Sequence, residues 1–127
     1  MKQTLICLLF AMSSLALAAE SDAVAKKEIE HLIGHLGSSG CQFNRNGSWF
    51  SASRAVSHLK RKYEYLVERN LASTAEAFIE GAASESSASG KPYLVKCSGQ
   101  PEVKSAAWFG AELARFREES NSAPKHH

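Results

Sequence analysis

The sequence predicts an α+β fold: a mainly helical single domain with a small antiparallel sheet, a hairpin plus one later strand, tied by a disulfide. Three observations carry this. Apolar residues recur at helical spacing before, between and after two short β-prone runs. An Asn46-Gly47 pair sits between Phe43 and Trp49, a strong hairpin signal because both residues tolerate positive φ. Two cysteines, Cys41 and Cys97, fall beside those β-prone runs.

The chain opens on residues that read as an export leader. Met1-Lys2-Gln3 supplies a positive start, Thr4 to Leu17 is an apolar run too short for a membrane anchor, and Ala16-Leu17-Ala18 is a small-x-small cleavage site. Residues 1–18 are therefore read as a signal peptide, 19–117 as one α+β domain and 118–127 as a disordered tail. Cys7 lies inside the apolar run, away from the cleavage point where lipid attachment would need it. No later segment is apolar over a spanning length, so the expectation is a soluble mature chain without an integral membrane segment. Removing the leader leaves Cys41 and Cys97, and an even number in an exported chain points to a disulfide between them. Closing such a loop stabilises by about 4 kcal/mol on the chain-entropy model. Neither cysteine stands in a Cys-x-x-Cys arrangement, which argues against a thiol redox pair or zinc ligands.

Charge excludes one function class. The chain has fifteen basic and thirteen acidic side chains, and loss of Lys2 leaves it close to neutral. That balance gives no nucleic-acid footprint. The densest basic run, Lys60-Arg61-Lys62, is followed by Glu64 and Glu68 and reads as a solvated helix face.

The elements follow in order. Ser21 or Asp22 can cap a first helix whose Ala25, Ile29, Leu32, Ile33 and Leu36 share a face, with Gly37 at its end. Cys41 to Phe50 reads as the hairpin. From about Ser53 to Arg69, with Ala52 extending it backward, Val56, Leu59, Tyr63, Leu66 and Val67 make the stripe of the longest helix. Ser73-Thr74-Ala75-Glu76 is a capping-box pattern opening a short helix with Phe78, Ile79 and Ala82 inward. Ser84 to Gly90 breaks the periodicity. Pro92 to Cys97 reads as a strand that Pro92 restricts to an edge or first position. Ser98-Gly99-Gln100-Pro101 is a loop, and Ser105 can cap a last helix in which Phe109, Leu113 and Phe116 share a face beside Trp108. Trp49 and Trp108 are both read as core.

Four runs in order carry a resemblance: Phe43-Asn44-Arg45-Asn46-Gly47; Ala55-Val56-Ser57-His58-Leu59 with Lys62; Thr74-Ala75-Glu76 with Phe78-Ile79; and Ser89-Gly90-Lys91-Pro92-Tyr93. Together they resemble the YfeK-like family, small exported bacterial proteins of unknown function (domain-of-unknown-function family 5329). The resemblance covers nearly all of the mature chain and implies a Gram-negative periplasmic location. It brings no activity, cofactor or catalytic residue.

Three constellations could carry chemistry. His58, Lys62 and Tyr65 lie at i, i+4 and i+7 on one flank of the long helix. A partly buried histidine beside a lysine stays neutral, as a general base requires, and a serine of the following loop could serve as nucleophile. No Gly-x-Ser-x-Gly elbow is present. Glu28, His31 and His35 share a flank of the first helix, where two histidines at i, i+4 can chelate a metal, but the His-Glu-x-x-His order of metalloproteases is lacking. In the Ser84–Tyr93 loop, backbone N–H groups and hydroxyls with Lys91 could form an anion-binding concavity. Ser89-Gly90-Lys91-Pro92-Tyr93 is also similar to the Ser-Gly-x-x-Tyr loop of periplasmic lysozyme inhibitors, although that family is a β-barrel.

The reading that follows is a periplasmic, non-catalytic binding module for an envelope component or a protein partner. Its surface lies near Arg45, His58, Lys62, Ser87, Ser89 and Tyr93, with no catalytic residue, metal ligand or cofactor assigned. Two alternatives stay open: a small hydrolase using His58 with a loop serine, and a lysozyme-inhibitor-like binder using the Ser89-Gly90 loop. Partner identity and oligomeric state are not legible in the residues.

Overall fold

The computed structural model describes residues 11–122, with side chains described from Asp22 onward. Residues 1–10, part of the segment read from sequence as a leader, and residues 123–127, part of the segment read as a tail, thus lie outside the described residues. The elements are α1 (Ala11–Ser38), β1 (Gln42–Arg45), β2 (Ser48–Phe50), α2 (Ala52–Glu68), α3 (Ala75–Ala82), β3 (Leu94–Lys96), β4 (Val103–Lys104) and α4 (Ser105–Ser122). Four helices accompany a small antiparallel sheet of order β2-β1-β3-β4. No described helix is long and apolar enough to cross a membrane.

In α1 the stripe Ala25, Ile29, Leu32, Ile33 and Leu36 is buried as the spacing requires. Both proposed limits of that helix move outward. The backbone is helical through Ser21 and Asp22, so neither caps it. Gly37 stays inside the helix, and the chain turns at Gly40, whose φ of 71° is left-handed. Ser39 seals the end, its hydroxyl donating to the Leu36 carbonyl at 2.7 Å.

The hairpin turns at Asn46 and Gly47, with φ of 51° and 86°, the pair of positive values that a two-residue turn matching strand twist needs. It pairs Phe43 with Phe50 and Arg45 with Ser48. Strand β3 pairs β1 on the other side, Gln42 opposite Lys96 and Asn44 opposite Leu94. One step outward from Gln42 and Lys96 stand Cys41 and Cys97, which form the expected disulfide.

Of the two placements that Pro92 allowed its strand, an edge or a start at Pro92, the edge is not taken: β3 is interior, because Val103 and Lys104 add a fourth strand that the loop-like residues before them concealed. Pro92 causes no conflict, since it precedes Leu94 and makes only an isolated bridge to Glu85.

Ser51 caps α2, its hydroxyl accepting from the Arg54 N–H, and Ala55, Leu59 and Leu66 are buried. The helix stops at a left-handed Asn70, φ 56°, with Leu71 N–H donating to the Leu66 carbonyl and Asn70 N–H to the Val67 carbonyl. Val67, assigned to the stripe, is 51 % exposed instead, because it lies on the turn where the helix leaves the core.

Thr74 caps α3 and accepts from the Ala77 N–H at 3.0 Å; Glu76 does not reach back to the cap but pairs with Arg117. Phe78, Ile79 and Ala82 point inward. Ser105 starts α4 without capping it by its hydroxyl, which is buried with no partner among the described residues. Its N–H donates to the Tyr93 carbonyl at 2.8 Å, fixing α4 to the residue before β3. Helix α4 then runs through Glu118 to Ser122, where the sequence reading began the tail. An Arg115–Glu119 pair at i, i+4 supports that extension.

Candidate functional site

Strand alternation places Phe43, Val95 and Tyr93 on the helix-covered face of the sheet, and all three are buried. The same alternation carries Arg45 onto that face at the hairpin end. The Tyr93 ring lies 5.0 Å from the Phe43 ring, and its hydroxyl reaches the flank of α2. There Lys62 Nζ donates to it at 3.2 Å, and His58 Nε2 lies 3.2 Å away on the other side. An ammonium has only donors, so the phenol oxygen accepts from Lys62 and its own proton goes to His58 Nε2.

That assignment needs a neutral imidazole, and the surroundings supply one. Burial, then the charges of Arg45, Lys62 and Arg61, lower the His58 pKa from 6.5 to about 4. Lys62 also donates to the Glu85 carbonyl at 3.4 Å, linking α2 to the serine-rich loop. In front of the pair lies a shallow depression of about 400 Å³, lined by His58, Arg61, Lys62 and Tyr65 of α2, Gly81 of α3 and Ser87 of the loop.

The proposed residues therefore divide. His58, Lys62 and Tyr93 are joined by hydrogen bonds, Ser87 faces the same depression and Arg45 approaches from the hairpin. Ser89 belongs to a different contact: its hydroxyl donates to Asn46 Oδ1 at 2.5 Å. No serine hydroxyl is bonded to His58 among the described residues; its partner is the phenol of Tyr93.

The loop is organised by Ser86, a residue sequence reasoning passed over. Its buried hydroxyl accepts from the N–H groups of Ala88 and Ser89 and from Asn46 Nδ2. The N–H groups of Ser86, Gly90 and Lys91 are likewise spent within the loop, on Lys91 O, Ser86 O and Ser89 Oγ. An anion cradle built from those backbone groups is thus ruled out by their own bonding. The signal available in sequence was that a serine in such a run bonds nearby backbone more readily than a ligand.

Glu28 is parted from His31 and His35 by its partner. Glu28 accepts two bonds from Arg117, at 2.8 and 2.9 Å. His31 Nε2 lies 2.6 Å from Oε2 of buried Glu112, and His35 Nδ1 is 3.6 Å from the same oxygen. The His31 ring stacks on Phe116 with centroids 3.9 Å apart, and His35 lies against Trp108 at 4.9 Å. Arg115 forks onto Glu112 and, with His31 and His35, lowers its pKa to about 2. Among the described residues no three His, Cys, Asp or Glu side chains are grouped to hold a metal. Of the tryptophans, Trp108 packs at the core edge, whereas Trp49 is 38 % exposed, on the outer side of the hairpin opposite Asn44.

A groove of about 460 Å³ between α1 and α2, floored by Ile33, Gly34, Gly37 and Val56, is larger but brings no hydrogen-bonded polar set together. The His58 flank is the candidate site because its polar groups converge.

Neither a curated protein nor a solved structure matches this chain. Residues 23–117, which hold every element from the buried part of α1 to the Glu28–Arg117 pair, match a family of unknown function, DUF5329, and the chain belongs to that family.

Proposed function

We propose that the protein works in the periplasm as a non-catalytic binding module, recognising an envelope component or protein partner through the His58 flank of α2. The observation that carries this reading is the Tyr93 hydroxyl fixed between His58 and Lys62. Its ring is buried, so the polar groups of the site are held in one arrangement before a ligand arrives, which lowers the ordering cost of binding. His58 is neutral, as a general base must be, but its acceptor nitrogen is occupied by Tyr93 rather than by a nucleophile.

The test uses immobilised oxidised protein and envelope extract. A component retained by the wild type and released by a folded His58→Ala, Ser87→Ala double variant supports the reading; retention unchanged by the double substitution removes the site from consideration. An enzyme instead requires turnover that depends on pH and disappears in His58→Ala alone.

A further inference from the structure

The same site indicates what chemistry its ligand carries, an inference that rests on the binding reading above. Arg69, Arg115 and Arg117 each pair with a carboxylate. Arg45, Arg54, Arg61 and Lys62 pair with none among the described residues, and Lys62 takes from Glu85 its backbone carbonyl rather than its carboxylate. These cations are concentrated. Arg54, His58, Arg61 and Lys62 follow one another at i, i+4, i+7 and i+8 along α2, while Arg45 closes from the hairpin. Phe50 holds two of them, the Arg45 and Arg54 guanidinium carbons lying 5.6 and 5.2 Å from its ring centre.

Arg45 Nε is buried without a hydrogen-bond partner among the described residues, a cost that a nearby anion would offset. The like charges repel one another, and among the described residues no carboxylate joins the groups that set the ionisation of His58. A single carboxylate would satisfy one guanidinium fork. A phosphate group, with up to two negative charges and oxygens in several directions, can take a guanidinium, an ammonium and a hydroxyl together.

We propose that this depression binds the phosphate group of its ligand, with Arg61 and Lys62 as direct charged donors and Ser87 as a neutral one. Tyr93 is a positioning residue, acting through Lys62. The N–H groups of Ser86, Ala88, Ser89, Gly90 and Lys91 take no part, since the loop uses them itself.

The experiment titrates the full oxidised protein with inorganic phosphate at constant ionic strength, following the His58 ring and the Ser87 amide by NMR. A saturable shift is expected, weakened about tenfold by Arg61→Gln and again by Lys62→Gln, each a lost charge-assisted bond. Lys60→Gln, on the α1-facing groove, leaves it unchanged, and Arg61→Lys retains most of the binding in a fold whose charge is preserved. A shift that never saturates, one that chloride reproduces, or one that survives both glutamine variants overturns the proposal.

Phosphatidylcholine vesicles containing phosphatidate separate the sources of the group. Variant-sensitive vesicle binding supports a lipid headgroup, and phosphate binding without vesicle binding supports a small soluble phosphate. If the His58→Ala, Ser87→Ala variant releases an envelope component but phosphate gives no saturable shift, the phosphate assignment falls and the binding reading stands. Saturable phosphate binding with unchanged retention supports the assignment and removes that reading.

Discussion

A single buried hydroxyl shows how the sequence-level view of a residue can invert. Ser105 stands where a cap belongs, yet its Oγ is buried with no partner among the described residues, so the group costs stability instead of supplying it. Ser105→Ala is expected to stabilise by about 1 kcal/mol, read from urea unfolding, because the desolvated hydroxyl disappears while the N–H bond to Tyr93 remains. His58 has the opposite character, since its setting follows from its neighbours in the fold. Its folded pKa is lowered from 6.5 to about 4. Between those values the unfolded chain binds a proton that the folded chain does not, so stability falls as pH drops from 6.5 toward 4 and the loss is absent above 6.5. Unfolding midpoints at pH 7 and pH 5 should separate in the wild type and converge in His58→Gln. The histidine, the lysine, their i, i+4 spacing and Tyr93 as a member of the same surface were visible in sequence; the place of the phenol between the two side chains was not, because Tyr93 reaches α2 only through sheet register.

At the scale of elements, Arg117 holds three helices together. Its guanidinium forks onto Glu28 of α1 and onto Glu76 of α3 from its place in α4, and it lowers the Glu76 pKa to about 2. Glu28 is only 8 % exposed, so Arg117→Gln leaves a nearly buried carboxylate without its charge partner. A loss of roughly 2 kcal/mol is expected, moderated because Arg117 itself is partly solvated. Charge reversal at Glu76, Glu76→Lys, should be milder, since that carboxylate is exposed. The helices were legible because their stripes are periodic: every residue of the α1 stripe is buried. What failed was local chemistry decided by distant contacts. Glu76 fits a capping box until Arg117 is placed beside it, and Glu28, His31 and His35 fit a chelate until α4 brings Arg117 and Glu112. The short β4 strand carried no alternation to detect; it pairs because β3 already stands there.

Over the whole molecule the disulfide and the acid response set the limits of stability. Cys41–Cys97 joins residues 56 apart in sequence at the end of the β1–β3 pair. Reducing it should lower the unfolding free energy by about 4 kcal/mol, seen as a shift of the urea midpoint with and without reductant. Below pH 4.5 a second loss is expected. Glu76 and Glu112 have folded pKa values lowered to about 2, so the stability they contribute is complete above 4.5 and disappears as pH falls toward 2. The disulfide was legible from cysteine parity, and the sheet's existence from the hairpin. The cationic flank was not, because the same arginines and lysines read as a solvated face when the pairing of each is unknown. The binding account depends on that flank holding a neutral histidine against Tyr93, under the combined charges of Arg45, Lys62 and Arg61. An NMR pH titration of the His58 ring in the oxidised protein measures this. A midpoint near 4 is the expected result, and an ordinary midpoint near 6.5 would contradict the account.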